Sequence, residues 1–232
     1  MSMKYFRLFN SVGPEVGFVP QVYDALIPFH IEEPNSSYYV NFSKANENTL
    51  WPIAKLSGKA RKTDLISISF KGFSSQFLIS YKLKEIVEKH LLKGIQLIKS
   101  ELILKKGKRE DYWIVNPYLS DFEFIDFDRS SFCFTDGMGN KILEEISFRS
   151  PLDFINAFRK NQASALTNPY PNHRPLVIKN VVFQTDCTSD FISISPLIYG
   201  GIGYFVSQKL KDNIELVGGT GMVFKDANER YP

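Results

Sequence analysis

Residues 200–224 read GGIGYFVSQKLKDNIELVGGTGMVF. Two glycine clusters bracket an aromatic-aliphatic lead-in followed by Ser-x-x-Leu-Lys. A serine at that place acts as a helix N-cap, because its hydroxyl accepts a bond from a first-turn amide that has no partner within the helix. Leu210 then faces inward, while Lys209 and Lys211 stay on the wet side. Gly221 supplies the left-handed residue that lets the backbone leave a helix. The stretch therefore predicts turn, capped helix, glycine stop and strand.

Residues 77–97, FLISYKLKEIVEKHLLKGIQL, repeat this unit at a constant offset of 127 residues. Phe77 aligns with Tyr204, Ser80 with Ser207, and Lys82-Leu83-Lys84 with Lys209-Leu210-Lys211. Val87 aligns with Ile214, Gly94 with Gly221 and Leu97 with Phe224. In the earlier copy Leu83, Ile86, Val87, His90 and Leu91 recur at three- and four-residue spacing, which predicts a helix over 77–93 with Ser80 as its cap. Capping and packing explain every matched position.

Outward from these units the pattern is irregular. DLISISF at 64–70 alternates β-branched and aromatic residues with serines, as a strand does. Further strands are expected at 38–42, 51–60, 95–104, 112–115, 176–183 and 191–194. A hairpin is expected over 130–148 around Asp136–Asn140. A short helix is expected over 151–160, capped by Ser150 with Pro151 in its first turn. In DFEFIDFD, 121–128, apolar residues fall on both parities, so a strand there needs two covered faces or a bulge. These elements predict an α+β fold with a mixed, mainly antiparallel sheet, few helices and two related lobes. The chain is read as a single globular unit, 1–232, with lobes 1–165 and 175–232 joined by the Pro- and Asn-rich loop 168–175.

The chain has 232 residues, 44% hydrophobic and 23% charged, which is ordinary globular usage. Twenty Phe and eleven Tyr suit both a core and a recognition surface. The net charge of +3 is too mild for a nucleic-acid binder, and Lys55–Lys62, KLSGKARK, holds no interleaved aromatic residue. Cys133 and Cys187 are not spaced as a redox pair and read as buried free thiols in a reducing compartment. No apolar run reaches membrane-span length and the first residues do not read as a signal peptide, so a cytoplasmic location with no membrane partner is expected.

Most chemistry is absent from the pattern. Gly200-Gly201-Ile202-Gly203 lacks the third glycine and the context of a dinucleotide loop. Gly218-Gly219-Thr220-Gly221 has no Gly-Lys-Ser/Thr after it, so it is no P-loop. His30, His90 and His173 have no metal-ligand spacing. The four carboxylates Asp121, Glu123, Asp126 and Asp128 admit three readings: the solvated side of a strand, a divalent-metal or acid-base site, or an acidic contact surface for a basic partner. The second would make the chain a metal-dependent hydrolase.

The stretch YGGIGYFVSQKLKDNIELVGGTGMVF, 199–224, resembles the C-terminal signature of predicted immunity proteins of bacterial polymorphic toxin systems. In that family a helix opens at Phe/Val-Ser-x-x-Leu/Phe-Lys and a glycine leads into a short hydrophobic strand. Val206, Ser207, Leu210, Lys211, Gly221 and Phe224 fill those places, and FLISYKLKEIVEKH repeats the motif. The resemblance implies a cytoplasmic, non-enzymatic protein that binds and neutralises a cognate protein toxin. It carries no catalytic residues to transfer, and from the glycine pattern and the mild charge no cofactor and no nucleic-acid partner are expected. It leaves the oligomeric state and the role of the first 60 residues open.

Overall fold

The computed structural model describes residues 3–40, 42–73, 76–139, 141–169, 172–198 and 201–227. In the first half lie β1 (Tyr5–Asn10), β2 (Val22–Leu26), β3 (Ile53–Leu56), β4 (Leu65–Ile66) and β5 (Phe77–Ser80). They are followed by α1 (Tyr81–Val87), β6 (Ile95–Ile103) and β7 (Arg109–Pro117). The second half contributes β8 (Ser131–Thr135), β9 (Ile142–Ile146), α2 (Pro151–Thr167), β10 (Leu176–Asn180) and β11 (Phe191–Leu197). It ends with β12 (Gly201–Ser207), α3 (Gln208–Leu216) and β13 (Met222–Asp226).

Two sheets form, in the orders β2-β3-β6-β7-β5-β4 and β13-β1-β12-β11-β10-β8-β9. Among named strands only β3–β6 and β10–β11 run parallel. The fold is α+β with mixed, mainly antiparallel sheets and few helices, as expected. A parallel bridge from Val22 to Ile68 brings the two edges of the first sheet together. That sheet closes around Val22, Ala54, Ile66, Leu78, Leu102 and Ile114. The second sheet is packed instead by α2, whose Phe154 is fully buried. Rings of Phe122, Phe127, Phe132, Phe148 and Phe158 surround Phe154 with centroids 5.2–6.2 Å away. Much of the phenylalanine excess is thus core.

The repeat is real in three dimensions, and larger than the sequence alignment suggested. Each copy holds strand, capped helix, glycine and strand: β5-α1-β6 and β12-α3-β13. Ser80 accepts from the Leu83 amide and Ser207 from the Leu210 amide. Gly94 and Gly221 both have left-handed φ, 81° and 86°. At Gly221 an added Cβ would lie 2.2 Å from the Leu65 carbonyl oxygen, so only glycine fits. A third strand precedes each copy: β4 is antiparallel to β5 as β11 is to β12. Its sequence is repeated too, Asp64-Leu-Ile-Ser-Ile-Ser against Asp190-Phe-Ile-Ser-Ile-Ser.

A fourth strand completes each copy, but from different directions. In the first copy it is β7, which follows β6, with Tyr112 opposite Ser80. In the second it is β1, from the start of the chain, with Tyr5 opposite Ser207. Tyr112 donates to the Thr63 carbonyl and Tyr5 to the Ser189 carbonyl, each at 2.8 Å. The two copies share one core, in which Leu83, Val87, Phe77 and Leu65 of the first meet Leu210, Ile214, Tyr204 and Phe191 of the second.

Several local expectations change. The predicted helix over 77–93 begins four residues later, because Phe77–Ser80 is a strand between β4 and β7 with consecutive buried residues. Strands covered on both faces lack the period-two alternation that would have marked it. Residues 121–128 are not a strand: Phe122–Phe124 form a 3-10 turn, which places apolar side chains on both parities without a bulge. Ser37–Tyr39 is also a 3-10 turn, not a strand, and residue 41 lies outside the described set. Helix α2 runs on to Thr167, seven residues past the expected end. The hairpin β8–β9 forms as read, with Asn140 outside the described residues. The loop 168–175, of which residues 170 and 171 are not described, does not separate two lobes. Strands on both sides of it, β8 and β10, pair in one sheet, and β1 joins that sheet as well.

Candidate functional site at the junction of the two repeats

A half-buried polar constellation sits where the copies meet. Asp64 and Asp190 occupy equivalent places just before β4 and β11. Each carboxylate grips the cap serine of its own copy: Ser80 Oγ donates to Asp64 Oδ1 at 2.8 Å, and Ser207 Oγ to Asp190 Oδ1 at 2.5 Å. Each backbone carbonyl also receives that serine's amide, at 2.8 and 2.9 Å. The second oxygen of each carboxylate reaches across to the other copy. Asp64 Oδ2 accepts from the Thr220 amide and hydroxyl, 3.0 and 2.8 Å. Asp190 Oδ2 lies 2.6 Å from His90 Nδ1. The two halves are therefore clamped reciprocally.

Charge supports the clamp. Lys82 pairs with Asp64 at 2.8 Å and Lys209 with Asp190 at 3.6 Å. Burial pushes the Asp64 carboxyl up, but Lys82, Ser80 and Thr220 outweigh it and hold the group below the usual carboxylate range. At Asp190 burial is likewise outweighed, by Ser207, His90 and Lys209. Asn213 Nδ2 donates toward His90 Nε2 at 3.0 Å, so the ring proton sits on Nδ1 and is donated to Asp190.

Serine, histidine and aspartate thus lie in contact, but in an order that does no nucleophilic work. The carboxylate stands between the serine and the imidazole. A general base must take the nucleophile's proton, and here both ring nitrogens of His90 are engaged elsewhere, by Asp190 and Asn213, while Ser207 Oγ donates to Asp190. Ser207 is fully buried and already caps α3. Cys187 is no better placed as a nucleophile: it is buried, its Sγ lies 2.9 Å from the Tyr5 hydroxyl oxygen, and burial pushes its thiol up.

The four carboxylates singled out in the sequence do not converge. Asp121 is buried, 2% exposed, and cannot form part of a contact surface. Glu123 is exposed and paired with Lys93. Asp126 accepts from the Arg129 amide at 3.1 Å and lies 3.7 Å from its guanidinium. Asp128 is exposed. Among the described residues no three His, Cys, Asp or Glu gather as a metal-binding set. The basic run is dispersed too: Lys55 pairs with Asp24 and Lys62 with Glu110.

No protein-family model matches the chain, and no curated protein matches it.

Gly201 and Gly203 lie within β12 rather than in a loop before the helix, which removes the phosphate-cradle geometry; Gly200 is outside the described residues. No described helix is long and apolar enough to cross a membrane.

One surface stands out by comparing the copies. Tyr81 is exposed and stacks at a tilt on half-buried Trp113, with centroids 5.6 Å apart. In the second copy Gln208 and Phe6 take those positions, and Lys4 and Lys211 cover the Phe6 ring at 4.9 and 5.2 Å. The first copy leaves its aromatic pair open. Beside it runs an open groove of about 610 Å³ lined by Tyr81, Thr63, Ser80, Tyr112 and Thr220. The ion pairs Lys62–Glu110, Lys82–Asp64 and Lys99–Asp111 rim the region. Sequence reading passed over Asp64 and Asp190, although the twice-written Asp-x-Ile-Ser-Ile-Ser marks both.

Proposed function

We propose that the chain is a non-enzymatic protein of immunity type, which binds a cognate bacterial toxin in the cytoplasm and neutralises it. The observation that carries this reading is the sequence resemblance at 199–224. Its Val206, Ser207, Leu210, Gly221 and Phe224 serve in the folded chain as strand end, cap, core anchor, turn and packing residue. Residues spent on a framework in this way make a rigid platform for recognition. The open Tyr81–Trp113 pair, rimmed by self-neutralised ion pairs, supports the same reading, since protein contacts concentrate on aromatic anchors inside a polar rim.

The test is co-expression with toxin domains encoded beside the gene. Protection of the cell and a stable complex are expected. Tyr81→Ala with Trp113→Ala lowers affinity by roughly tenfold or more while leaving the fold intact. Absence of both protection and complex formation with every adjacent toxin domain would sink the proposal.

A further inference from the structure

The chain passes between the two halves twice, and the second passage is the strap 118–121, between β7 and the turn at Phe122–Phe124. The strap is tied to both copies. Tyr118 and Leu119 amides donate to the Gly94 carbonyl at 2.8 and 3.3 Å. Ser193 Oγ donates to the Leu119 carbonyl at 2.9 Å, and the Asp121 amide donates to the Ser193 carbonyl at 3.2 Å. Ser120 Oγ donates to the Ser195 carbonyl at 3.1 Å and accepts from the Ser195 amide at 2.9 Å.

At the end of this strap the Asp121 carboxyl points into protein. Both its oxygens are buried and neither has a hydrogen-bond partner among the described residues. They press on the repeat's glycine stop: a Cβ on Gly94 would lie 3.1 and 3.3 Å from them. Such a group needs a physical reason, because a buried ion without donors is costly while a buried neutral acid costs far less. The charged and titratable groups around it come from each packed element. Lys93 stands beside Gly94 but is engaged by Glu123 of the following turn. Cys187, in the loop before β11, is close enough for the Asp121 charge to push its thiol up. Burial pushes the Asp121 carboxyl up to about 7, with Lys93 and the Ser193 backbone contact opposing and Glu123 adding to the rise.

We propose that Asp121 is a proton-operated latch between the two halves: the neutral acid stays packed against Gly94, and its ionisation drives the 118–121 strap outward. The sign follows from linkage. A carboxyl whose folded value lies above its unfolded one contributes stability that is fully present below the unfolded value, near 4, and lost as pH rises through about 7. The same balance applies to local opening of the strap.

Amide hydrogen exchange of the whole protein tests this, with rates corrected for intrinsic pH dependence. Between about pH 5.5 and about pH 8.5 the Tyr118, Leu119 and Asp121 amides lose protection by about thirtyfold, and amides inside β6 and β7 do not. Asp121→Asn abolishes the difference; Asp121→Ser serves if the amide variant folds poorly. A carbon-detected titration of the carboxyl places its midpoint near 7. Equal protection at both pH values, a pH dependence that survives neutral substitution, or a midpoint near 4 would each overturn the latch.

Discussion

Phe77 and Tyr204 stand 127 residues apart in sequence and meet edge to face, with ring centroids 4.8 Å apart. They are the same position in the two copies. Equivalent residues touch only close to the axis that relates their copies. This pair therefore marks the internal two-fold, and the shared core is a self-complementary interface within a single chain. Across that axis Asp64 grips Thr220 and Asp190 grips His90, two residues that are not each other's counterparts in the repeat, so the clamp is reciprocal without being symmetric in its partners.

A double-mutant cycle on the pair measures the interface directly. Phe77→Leu and Tyr204→Leu each destabilise, and the coupling energy is about 1 kcal/mol, the typical surplus of an edge-to-face pair over burial alone. Urea unfolding reads it. A coupling indistinguishable from zero would place the axis elsewhere.

The glycine stops differ in how tightly they are enclosed. Gly221→Ala puts a methyl 2.2 Å from the Leu65 carbonyl oxygen and 2.5 Å from Thr63 Oγ1, at a φ that L residues avoid. Backbone atoms cannot yield, so a loss of about 3 kcal/mol or more is expected. Gly94→Ala meets the Asp121 carboxylate oxygens at 3.1 Å and longer, so it costs less, about 1–2 kcal/mol. The reverse order in chemical denaturation would contradict this reading.

The repeated helix was legible because its signals are local. A cap serine, an inward leucine and a glycine stop lie within a few turns of one another, and each has a single cheap conformation. Strand β5 was not legible, because burial on both faces erased its alternation. The span 121–128 misled for the opposite reason: a 3-10 turn distributes side chains in a way that resembles a bulged strand. The clamp was written in the sequence as Asp-Leu-Ile-Ser-Ile-Ser and Asp-Phe-Ile-Ser-Ile-Ser, but at 126 residues rather than 127, so an ungapped comparison started at the helix stops short of it. The role of β1 depends on a pairing across nearly the whole chain, Tyr5 with Ser207. No local pattern encodes that. Nor could spacing show that Asp121 turns inward while Glu123 and Asp128 turn out.

The cap serines are not interchangeable with alanine, and the second is the more sensitive. Ser207→Ala removes the acceptor for the Leu210 amide, which is out of solvent, and one donor to half-buried Asp190. A loss of about 2–3 kcal/mol is expected, since a missing cap and a partly orphaned half-buried carboxylate add together. Ser80→Ala loses a longer cap bond, 3.4 Å, at a more accessible site, and about 1 kcal/mol is expected. Equal losses in both variants would argue that the serines act only as caps.

The carboxylates of the junction give the stability curve two flanks of opposite origin. Asp64 and Asp190 are held below their unfolded values, so their contribution is present above about pH 4 and is lost as acid protonates them in the folded state. Asp121 lies above its unfolded value, so its contribution runs the other way and fades as pH rises through about 7. Maximum stability therefore lies at about pH 4, where the junction carboxylates are ionised in the folded chain and the Asp121 contribution is still largely intact. Asp121→Asn removes the decline between about pH 4 and about pH 7 and raises stability at about pH 8 by about 1–3 kcal/mol, while leaving the acid flank in place. Asp190→Asn lowers stability at neutral pH by about 2 kcal/mol and flattens part of the acid flank, with the decline towards about pH 7 unchanged. Urea midpoints across the pH range separate the two effects. Were Asp121→Asn to flatten the acid flank instead, its carboxyl would have to titrate below about 4 in the folded chain, which buried oxygens with no donor among the described residues do not support.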